Sequence, residues 1–434
     1  MDLEAELFGG GDTKMTTADA PRAAERPYDL LIKNANLPDS DAQVDLAIRD
    51  AVIVAIEPEI SGPAAETVDA AAGLVTCSFV EPHFHLDKCL SRPLVGAITP
   101  EEAFARAHEA KVHFTVADVE ARASEALRLA IAQGIGHMRA QCDVDYATKL
   151  VSFEGLLRAR ERFVDAIDLE IVAFPQEGMV KDAEAPALLR EALAQGADAV
   201  GGLPEAELSV DDQRQHVALV LDIAAETGVP VEMHCDYMDH ADLKTLAMLA
   251  TGTIERGLQG RVTASHCNAL AIYPDDEAKA TIEQVKEAGI GVTVLPVANL
   301  QMLGGPDRTP RNRGSSRVKE LLDTGINVAA GSDSMFDIWY RFNRLDPVET
   351  GYISCLSTGM RTDDEVQTAF DMVTTRAANM VGKDATIAVG ARADLVVHAA
   401  PTIVQVLRNL PGRRLNIKSG RIVGGQEGSH WCIR

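Results

Sequence analysis

Short apolar runs alternate with longer amphipathic segments through the middle of the chain. The apolar runs contain β-formers and small side chains, and most are bounded by Gly, Pro or Asp, which is typical of buried strands. Eight such runs are predicted as strands, at residues 74–80, 136–142, 169–174, 197–202, 229–234, 261–266, 289–295 and 326–331. The segments between them, including 210–227 and 275–288, carry apolar residues at helical spacing and are predicted as helices.

Eight strand–helix units predict an α/β fold, a (β/α)8 TIM barrel, over residues 74–385. A doubly wound open sheet is the alternative arrangement of such units. The first predicted strand is not followed by Gly-x-Gly-x-x-Gly, and we find no phosphate loop of the Gly-x-x-x-x-Gly-Lys-Ser/Thr kind. The barrel is therefore the favoured fold.

The two ends of the chain carry a different pattern. Residues 28–34 and 44–55 cluster or alternate β-formers, with a hairpin turn predicted at Asp50 and Ala51, and similar runs return at 393–397 and 415–423. These pieces predict a small β-sandwich domain built from residues 27–73 and 386–434. Residues 1–26 are small or polar without periodicity and are predicted to be a disordered N-terminal tail.

Composition narrows the class of protein. The chain has 434 residues, 46% of them hydrophobic, and a formal net charge of -24. So acidic a surface argues against binding nucleic acid or an anionic membrane face. No apolar run approaches the roughly 18 residues of a membrane span, and the N-terminus lacks the features of a signal peptide. Seven scattered cysteines without a Cys-x-x-Cys pair suggest reduced thiols and a cytoplasmic location.

Polar side chains follow several of the predicted barrel strands. They are His83, His85, His234, His266 and Asp333. Each of three residues also has a simpler interpretation when it is taken alone. His234 would be a histidine of the core, His266 a group that supports the ligands, and Asp333 a helix N-cap. Because the carboxyl ends of barrel strands meet at one rim, we expect all five to converge, and a divalent metal is the economical common cause. The remaining predicted helices and loops carry four histidines that are expected at the surface, at positions 108, 113, 216 and 240.

Several longer stretches carry a family resemblance. They lie at residues 79–87, 171–178, 196–202, 234–236, 261–266, 317–328 and 331–340. Through them the sequence resembles the amidohydrolase superfamily, and more closely its cytosine deaminase-like and N-isopropylammelide aminohydrolase-like branch. The similarity extends over nearly all of residues 28–425. It implies an enzyme that hydrolyses a C–N bond other than a peptide bond.

The resemblance also implies a site. One divalent metal ion per chain is expected, zinc or iron in the first place and manganese or cobalt as alternatives, with ligands His83, His85, His234 and Asp333. His266 is expected to assist the attacking water. Gln176, Trp339 and Ser334 are expected to contact the substrate. The end of the fourth strand has no lysine of the kind that binuclear relatives carry, which supports a single metal.

Two positions depart from the cytosine deaminase pattern. Tyr237 stands where that enzyme has a glutamate that moves protons, and Ser334 stands where it has a second acid. Tyrosine, with an ordinary pKa of about 10, can donate a proton but is a poor base near neutral pH. We therefore expect Asp333, Asp236 or Tyr237 to handle the leaving-group proton, and a substrate other than cytosine itself.

Three functional hypotheses follow. The first is a deaminase of a nitrogen heterocycle that uses a metal-activated water. The second is a hydrolase of a cyclic or aryl-substituted amide, urea or carbamate, which releases no ammonia. The third is a non-catalytic barrel with a structural metal, disfavoured because structural zinc sites are usually closed. A small-molecule partner is expected, without nucleic acid or membrane, and assembly into a homo-oligomer is left open.

Overall fold

The computed structural model describes residues 27–38, 40, 42–91, 100–304, 315–410 and 412–426, so the predicted tail at 1–26 lies outside it. Over these residues the chain forms sixteen strands: β1 Tyr28–Ala35, β2 Val44–Arg49, β3 Val52–Glu57, β4 Ala64–Asp69, β5 Val75–Cys77, β6 Phe79–Phe84, β7 Ile135–Asp143, β8 Asp168–Phe174, β9 Ala199–Gly202, β10 Val231–Cys235, β11 Val262–His266, β12 Gly291–Val294, β13 Val328–Ala330, β14 Leu395–His398, β15 Arg413–Lys418 and β16 Arg421–Gly424.

The same residues form thirteen α-helices: α1 Pro100–Lys111, α2 Val116–Ala132, α3 Val151–Phe163, α4 Ala185–Ala194, α5 Val210–Thr227, α6 Thr245–Glu255, α7 Asp275–Glu287, α8 Pro296–Met302, α9 Val318–Asp323, α10 Pro347–Thr358, α11 Asp363–Asp371, α12 Thr375–Met380 and α13 Ile403–Asn409. Short 3₁₀ turns lie at Pro204–Ala206 and Asn268–Ile272. No helix in the described part of the chain is both long enough and apolar enough to cross a bilayer.

Strands β6 to β13 form one parallel sheet of eight strands in sequence order. The sheet closes on itself after β13, where Phe84 and Asp333 form a parallel bridge. The amide of His85 donates to the Asp333 carbonyl at 2.6 Å, and the amide of Asp333 donates to the His83 carbonyl at 3.0 Å. The predicted (β/α)8 barrel is thus confirmed, and its closing hydrogen bonds lie at the predicted metal ligands.

The first predicted strand, at residues 74–80, is two strands. Strand β5 pairs antiparallel with β14, far along the chain, whereas β6 pairs parallel with β7 in the barrel. Ser78 lies between them, so the chain passes directly from one domain into the other. The whole run has the composition of a single strand, which carries no clear signal for such a change of sheet. As a consequence His83 lies within β6, and only His85 follows the strand.

The small domain has two sheets of four strands, in the orders β3-β2-β1-β4 and β16-β15-β14-β5. Strands from both chain ends share one apolar core, whose buried members include Leu30, Ile48, Leu395 and Ile417. The hairpin between β2 and β3 turns at Asp50 and Ala51, with φ of 53° and 66°. Two successive positive φ angles are typical of the two-residue turn that matches strand twist.

Helix α5 shows how the sequence sets a barrel helix. Ser209 caps its first turn by accepting from the amide of Asp212, and Gly228 ends it at φ 80°. His216 on this helix is fully buried, contrary to the predicted surface position. Its Nδ1 lies 2.8 Å from Glu207, and its Nε2 accepts from the amide of Leu203 at 3.1 Å. It secures the segment that follows β9 to the helix.

A buried ion pair at the amino-terminal end of the barrel gives a first prediction. Arg139 Nη2 lies 2.8 Å from Glu170 Oε1, and His137 approaches the other carboxylate oxygen. Burial alone would raise the pKa of Glu170, but Arg139 and His137 lower it to about 2. The ordinary value is about 4.3, so the pair stabilises the fold above that pH and loses its effect as the pH falls toward 2.

We therefore expect Glu170→Gln to lower the free energy of unfolding by about 3 kcal/mol at pH 7. The deficit relative to the unmodified protein should shrink as unfolding midpoints are measured from pH 7 down to pH 3. Glu184→Gln, which breaks only an exposed pair with Lys149, is the control and should change little. A deficit that stays constant with pH would contradict this assignment.

Candidate active site

Four side chains meet at the carboxyl-terminal end of the barrel. They are His83, His85, His234 and Asp333, and one potential ligand atom from each lies within 4.8 Å of all the others. His85 Nε2 and His234 Nε2 are 3.1 Å apart, and Asp333 Oδ1 lies 3.5 Å from Nε2 of both His83 and His85. All four are buried. Three imidazoles and one carboxylate facing a common point are a donor set suited to a divalent cation.

Neighbouring side chains fix the orientation of His83. Its Nδ1 lies 2.9 Å from Glu232 Oε1, and Gln141 donates to the other oxygen of Glu232 at 2.6 Å. With a carboxylate at Nδ1, that nitrogen carries the proton, and the lone pair at Nε2 faces the cluster. Within the described residues His83 Nε2 is buried without a hydrogen-bond partner. A bound cation would satisfy this nitrogen, so the residues present fit a metal.

His266, at the end of β11, lies beside this cluster. Its ring is 4.9 Å from that of His234, and its Nδ1 lies 3.3 Å from Asn299 Oδ1. Asn299 in turn donates through its Nδ2 to Asn268 Oδ1, which fixes the amide so that Oδ1 accepts from His266. The buried Nε2 of His266 therefore presents a lone pair toward the site. Burial is the main cause that lowers the pKa of His266 to about 4, so the ring is neutral at pH 7.

The charges around the cluster favour a cation. Burial lowers the pKa of His85 and of His234 well below the ordinary value, which leaves both rings neutral. Burial also opposes ionisation of Asp333, but the histidines close to it, His83 first, keep its pKa well below the usual range. The carboxylates Glu232 and Asp333 raise the pKa of His83 to about 10 against the effect of burial. Groups that favour a proton on His83 also favour a positive ion beside it.

The backbone at two of these strand ends is strained. His266 and Asp333 have φ of 67° and 69°, in the left-handed region that non-glycine residues adopt rarely. Such a conformation costs about 1–3 kcal/mol and persists only where the surroundings impose it. At Asp333 the surroundings are the hydrogen bonds to β6 that close the barrel.

A pocket opens from the cluster. Its lining residues come from several strand ends and include Lys88, Gln176, Tyr237, Trp339 and Tyr340. The pocket is narrow, with an empty volume of about 340 Å³. A larger cavity lies at the opposite end of the barrel beside Arg139 and Glu170. That cavity contains none of the clustered histidines, so the chemistry belongs to the smaller pocket.

Gln176 lies in the pocket as predicted, but it is not a free amide. Its Oε1 accepts from Lys88 Nζ at 2.7 Å, and Lys88 also donates to Asp143 Oδ1 at 2.7 Å. Behind them Lys111 Nζ lies within 3.1 Å of Asp143, Asp145 and Glu177. Buried charges of both signs thus form a paired network beneath the pocket floor.

The loop after β13 forms another wall of the pocket. Asp337 accepts from the amides of Trp339 and Tyr340 at 2.8 Å each, and Ser334 Oγ lies 2.6 Å from its other oxygen. Ser334 lines the pocket as predicted, but its hydroxyl is engaged by Asp337. Burial, and the charge of Asp333 beside it, raise the pKa of the Tyr340 hydroxyl well above its usual range. Asp337 therefore fixes the loop segment that carries two aromatic residues of the pocket lining.

The two remaining predicted catalytic residues have different positions. Tyr237 lines the pocket together with Tyr340 and packs edge-on against the His266 ring, at 4.5 Å between centroids. Asp236 lies behind the site instead. Its carboxylate is bound by Thr245 Oγ1 at 3.0 Å and by the Tyr273 hydroxyl at 2.7 Å. Its positive φ of 49° turns the chain at the end of β10, so the prediction that Asp236 acts on the substrate is not supported.

Comparison with known proteins decides the family. A profile of the amidohydrolase family matches residues 90–423, which is most of the chain. The chain belongs to the amidohydrolase family. The resemblance seen in the sequence is confirmed.

Two curated relatives of this amidohydrolase extend over most of its length. A pterin deaminase from Rhizobium rhizogenes is 31% identical over 394 residues, which cover 88% of this chain and 88% of the relative. The N-isopropylammelide isopropyl amidohydrolase of Pseudomonas sp. strain ADP is 29% identical over 411 residues, 92% of this chain and 98% of the relative. Among solved structures, 5-methylcytosine deaminase from Klebsiella pneumoniae aligns with a TM-score of 0.87 and 30% identity, covering 93% of this chain and 99% of that one.

Sequence reasoning missed three residues of this amidohydrolase site. Glu232 lies two positions before His234 in β10, and Lys88 lies three positions after His85. For Glu232 the spacing was the available signal, since residues two apart on a strand share a face, whereas Lys88 lies beyond the end of β6 and gave no such signal. Tyr340 gave no such signal, because its position depends on the fold of the loop that Asp337 organises.

The carboxylate on His83 gives the second prediction. We expect metal-free protein to take up close to one divalent ion per chain, and His83→Ala or Asp333→Asn to abolish tight uptake. Glu232→Gln keeps the shape of the side chain but removes the charge that orients His83, so metal affinity should fall by about 10- to 100-fold. Titration of metal-free protein with zinc against a competing chelator measures this.

Glu170→Gln is the matched control for that measurement. It makes the same chemical change in a barrel strand, but at the end of the barrel away from the histidines. Its zinc affinity should equal that of the unmodified protein under conditions where both are folded. Equal affinities for the Glu232 and Glu170 variants would show that the carboxylate on His83 does not support metal binding.

Proposed function

We propose that this protein is a metal-dependent aminohydrolase that removes an amino group from a nitrogen heterocycle. The observation that supports this most is the convergence of His83, His85, His234 and Asp333 beside a pocket lined by Gln176 and aromatic side chains. Relatives with similar sequences over most of the chain are named as a pterin deaminase and an N-isopropylammelide amidohydrolase. A zinc or iron ion is the cation proposed for the site.

The reaction follows from the positions of the side chains. A divalent ion held there supplies an activated water at neutral pH. Asp333 takes a proton from the attacking water, and His266 directs its Nε2 lone pair to the same region. A C–O bond forms at the ring carbon, the C–N bond breaks, and the proton passes to the leaving nitrogen, so that the products are an oxo-heterocycle and ammonia.

Tyr237 and Ser334 stand where cytosine deaminase has carboxylates, so proton transfer in this protein must use other groups. Among the described residues that line the pocket, the acids are Asp333 and Asp337, and Asp337 is engaged with the backbone of its own loop. Tyr237 and Tyr340 lie beside Asp333 in the pocket lining. We propose that their hydroxyl groups keep the Asp333 carboxylate oriented while Asp333 carries the proton.

The small number of acids in the pocket lining also supports a second function. A site with few acids is less suited to protonating an amino group so that it leaves as ammonia. It is better suited to cleaving a bond whose leaving group needs less protonation. A cyclic or aryl-substituted amide, urea or carbamate is such a substrate. Ammonia release separates the two proposals.

The test is turnover of a compound panel by zinc-loaded protein. Amino-substituted pyrimidines, pteridines and s-triazines should release ammonia, whereas cytosine should react poorly or not at all. Cyclic ureas and aryl carbamates are assayed for ring opening or cleavage without ammonia. Efficient deamination of cytosine would show that Tyr237 at this position does not prevent the enzyme from acting on cytosine. Turnover of no compound in either group, with metal bound, would contradict both proposals.

The two tyrosines beside Asp333 give the third prediction. With a substrate found in the panel, Tyr237→Phe should lower kcat by about 10²-fold with little change in KM, because it removes a hydroxyl that orients Asp333 while keeping the ring. Tyr340→Phe should act in the same direction, since it removes the other hydroxyl beside Asp333. Tyr352→Phe on α10 is the control. A raised KM at unchanged kcat would show that Tyr237 only shapes the pocket.

A further inference from the structure

The barrel has a second opening, at the amino-terminal ends of its strands, that the proposed reaction does not use. A cavity with an empty volume of about 1400 Å³, its open mouth included, lies there. Residues of β7, β8, β10 and β11 line it, and the end of α12 with the turn after it, residues 379–383, forms the adjoining wall. Its size and lining make it a second place where a small molecule can bind.

Every acidic residue in the lining of this cavity already has a cationic partner. The pairs are Glu170 with Arg139 at 2.8 Å, Asp198 with Arg160 at 3.0 Å and Asp168 with Lys418 at 2.9 Å. The carboxylates of the lining are therefore neutralised by these contacts and do not balance any further positive charge.

Two further cations of the lining, Arg261 and Lys383, have no carboxylate partner among the residues that the structure describes. Arg261 donates through Nη2 to the carbonyl of Val229 at 3.1 Å, which satisfies one of its five N–H groups. Lys383 is exposed at the edge of the cavity. Although the whole chain has a net charge of -24, this cavity thus carries surplus positive charge.

His137 adds an unsatisfied polar atom to the same lining. Its Nε2 lies 3.3 Å from Glu170, whereas its Nδ1 is buried without a hydrogen-bond partner in the described parts of the chain. Burial lowers the pKa of His137, and Lys383 lowers it further against the opposing effect of Glu170. Because buried polar atoms in folded proteins are almost always satisfied, this nitrogen also indicates that the cavity holds a ligand group or a water.

We propose that this cavity binds a small organic dianion, such as a short dicarboxylate, through Arg261 and Lys383. Guanidinium and ammonium groups are the usual partners of carboxylates, and they bind most strongly where no protein carboxylate competes. Leu169, Val231 and Val381 provide apolar surface for the carbon skeleton of such a ligand. The cavity contains none of the clustered histidines, so this binding is independent of the proposed reaction.

Calorimetry with glutarate and with its diamide tests the proposal. Glutarate is a dianion at neutral pH, and glutaramide has the same length without charge. Both are titrated at fixed ionic strength into metal-free and zinc-loaded protein. Glutarate should bind at least tenfold more tightly than glutaramide, with the same Kd in both forms of the protein. Inorganic phosphate, which carries charge without a carbon skeleton, should bind more weakly than glutarate.

Two variants assign the binding to the two cations. Arg261→Gln should weaken glutarate binding by about 10- to 100-fold, and Lys383→Met by about 3- to 5-fold because an exposed charge contributes less. Since Lys383 is exposed, its substitution leaves the core intact and the test does not depend on Arg261→Gln alone. The matched control is Lys279→Met, which removes an exposed lysine of α7 outside the cavity and should leave the Kd unchanged.

Four results would overturn the proposal. The first is the absence of saturable glutarate binding, and the second is equal affinity for glutarate and glutaramide. The third is equal weakening by Lys383→Met and Lys279→Met, which would reflect net charge and not a site. The fourth is glutarate binding that appears only with zinc, which would place the ligand on the metal. Phosphate binding as tight as that of glutarate would overturn the assignment of an organic ligand.

Discussion

Closure of the barrel is the constraint on which the site depends. The main chain of Asp333 is hydrogen-bonded to both His83 and His85, so the last strand joins the first at the residues that would hold the metal. One set of hydrogen bonds thus completes the sheet and brings a carboxylate within 3.5 Å of two imidazoles that lie about 250 residues earlier in the chain. The positive φ of Asp333 is the local cost of this arrangement, and the surrounding strands impose it.

The order of strands and the convergence of histidines could be predicted from the sequence because both depend on simple periodicity. Each strand is short, apolar and followed by polar residues, and a parallel barrel gathers those residues at one rim. Periodicity does not reveal where one strand-like run changes from one sheet to another, so the division between β5 and β6 was missed. It also does not reveal that a helix can bury a polar side chain such as His216 when Glu207 and a backbone amide satisfy both ring nitrogens.

The direction of side chains at strand ends was the other feature that could not be predicted from the sequence. Asp236 and Tyr237 lie two and three positions after His234, yet the carboxylate of Asp236 is enclosed by Thr245 and Tyr273 while the phenol of Tyr237 lies in the pocket. The difference arises from a left-handed residue at the end of β10, which no spacing rule in a single sequence indicates. Similarly, Ser334 reaches the pocket, but its hydroxyl hydrogen-bonds to Asp337. The resemblance to a family indicates which positions matter, and only the geometry shows which atoms are free.

The distribution of charge in the site follows from these details. On one side, carboxylates and unprotonated ring nitrogens surround the point where a cation would lie, and Glu232 extends that negative environment beyond the ligands themselves. On the other side, Lys88 places an ammonium beside Gln176, supported by a network in which Lys111 shares Asp143. Lys88, Gln176 and the histidine cluster line the same small pocket, so a ligand there would meet both environments at once. The arrangement of charge, and not the shape of the pocket alone, therefore limits which ligands fit.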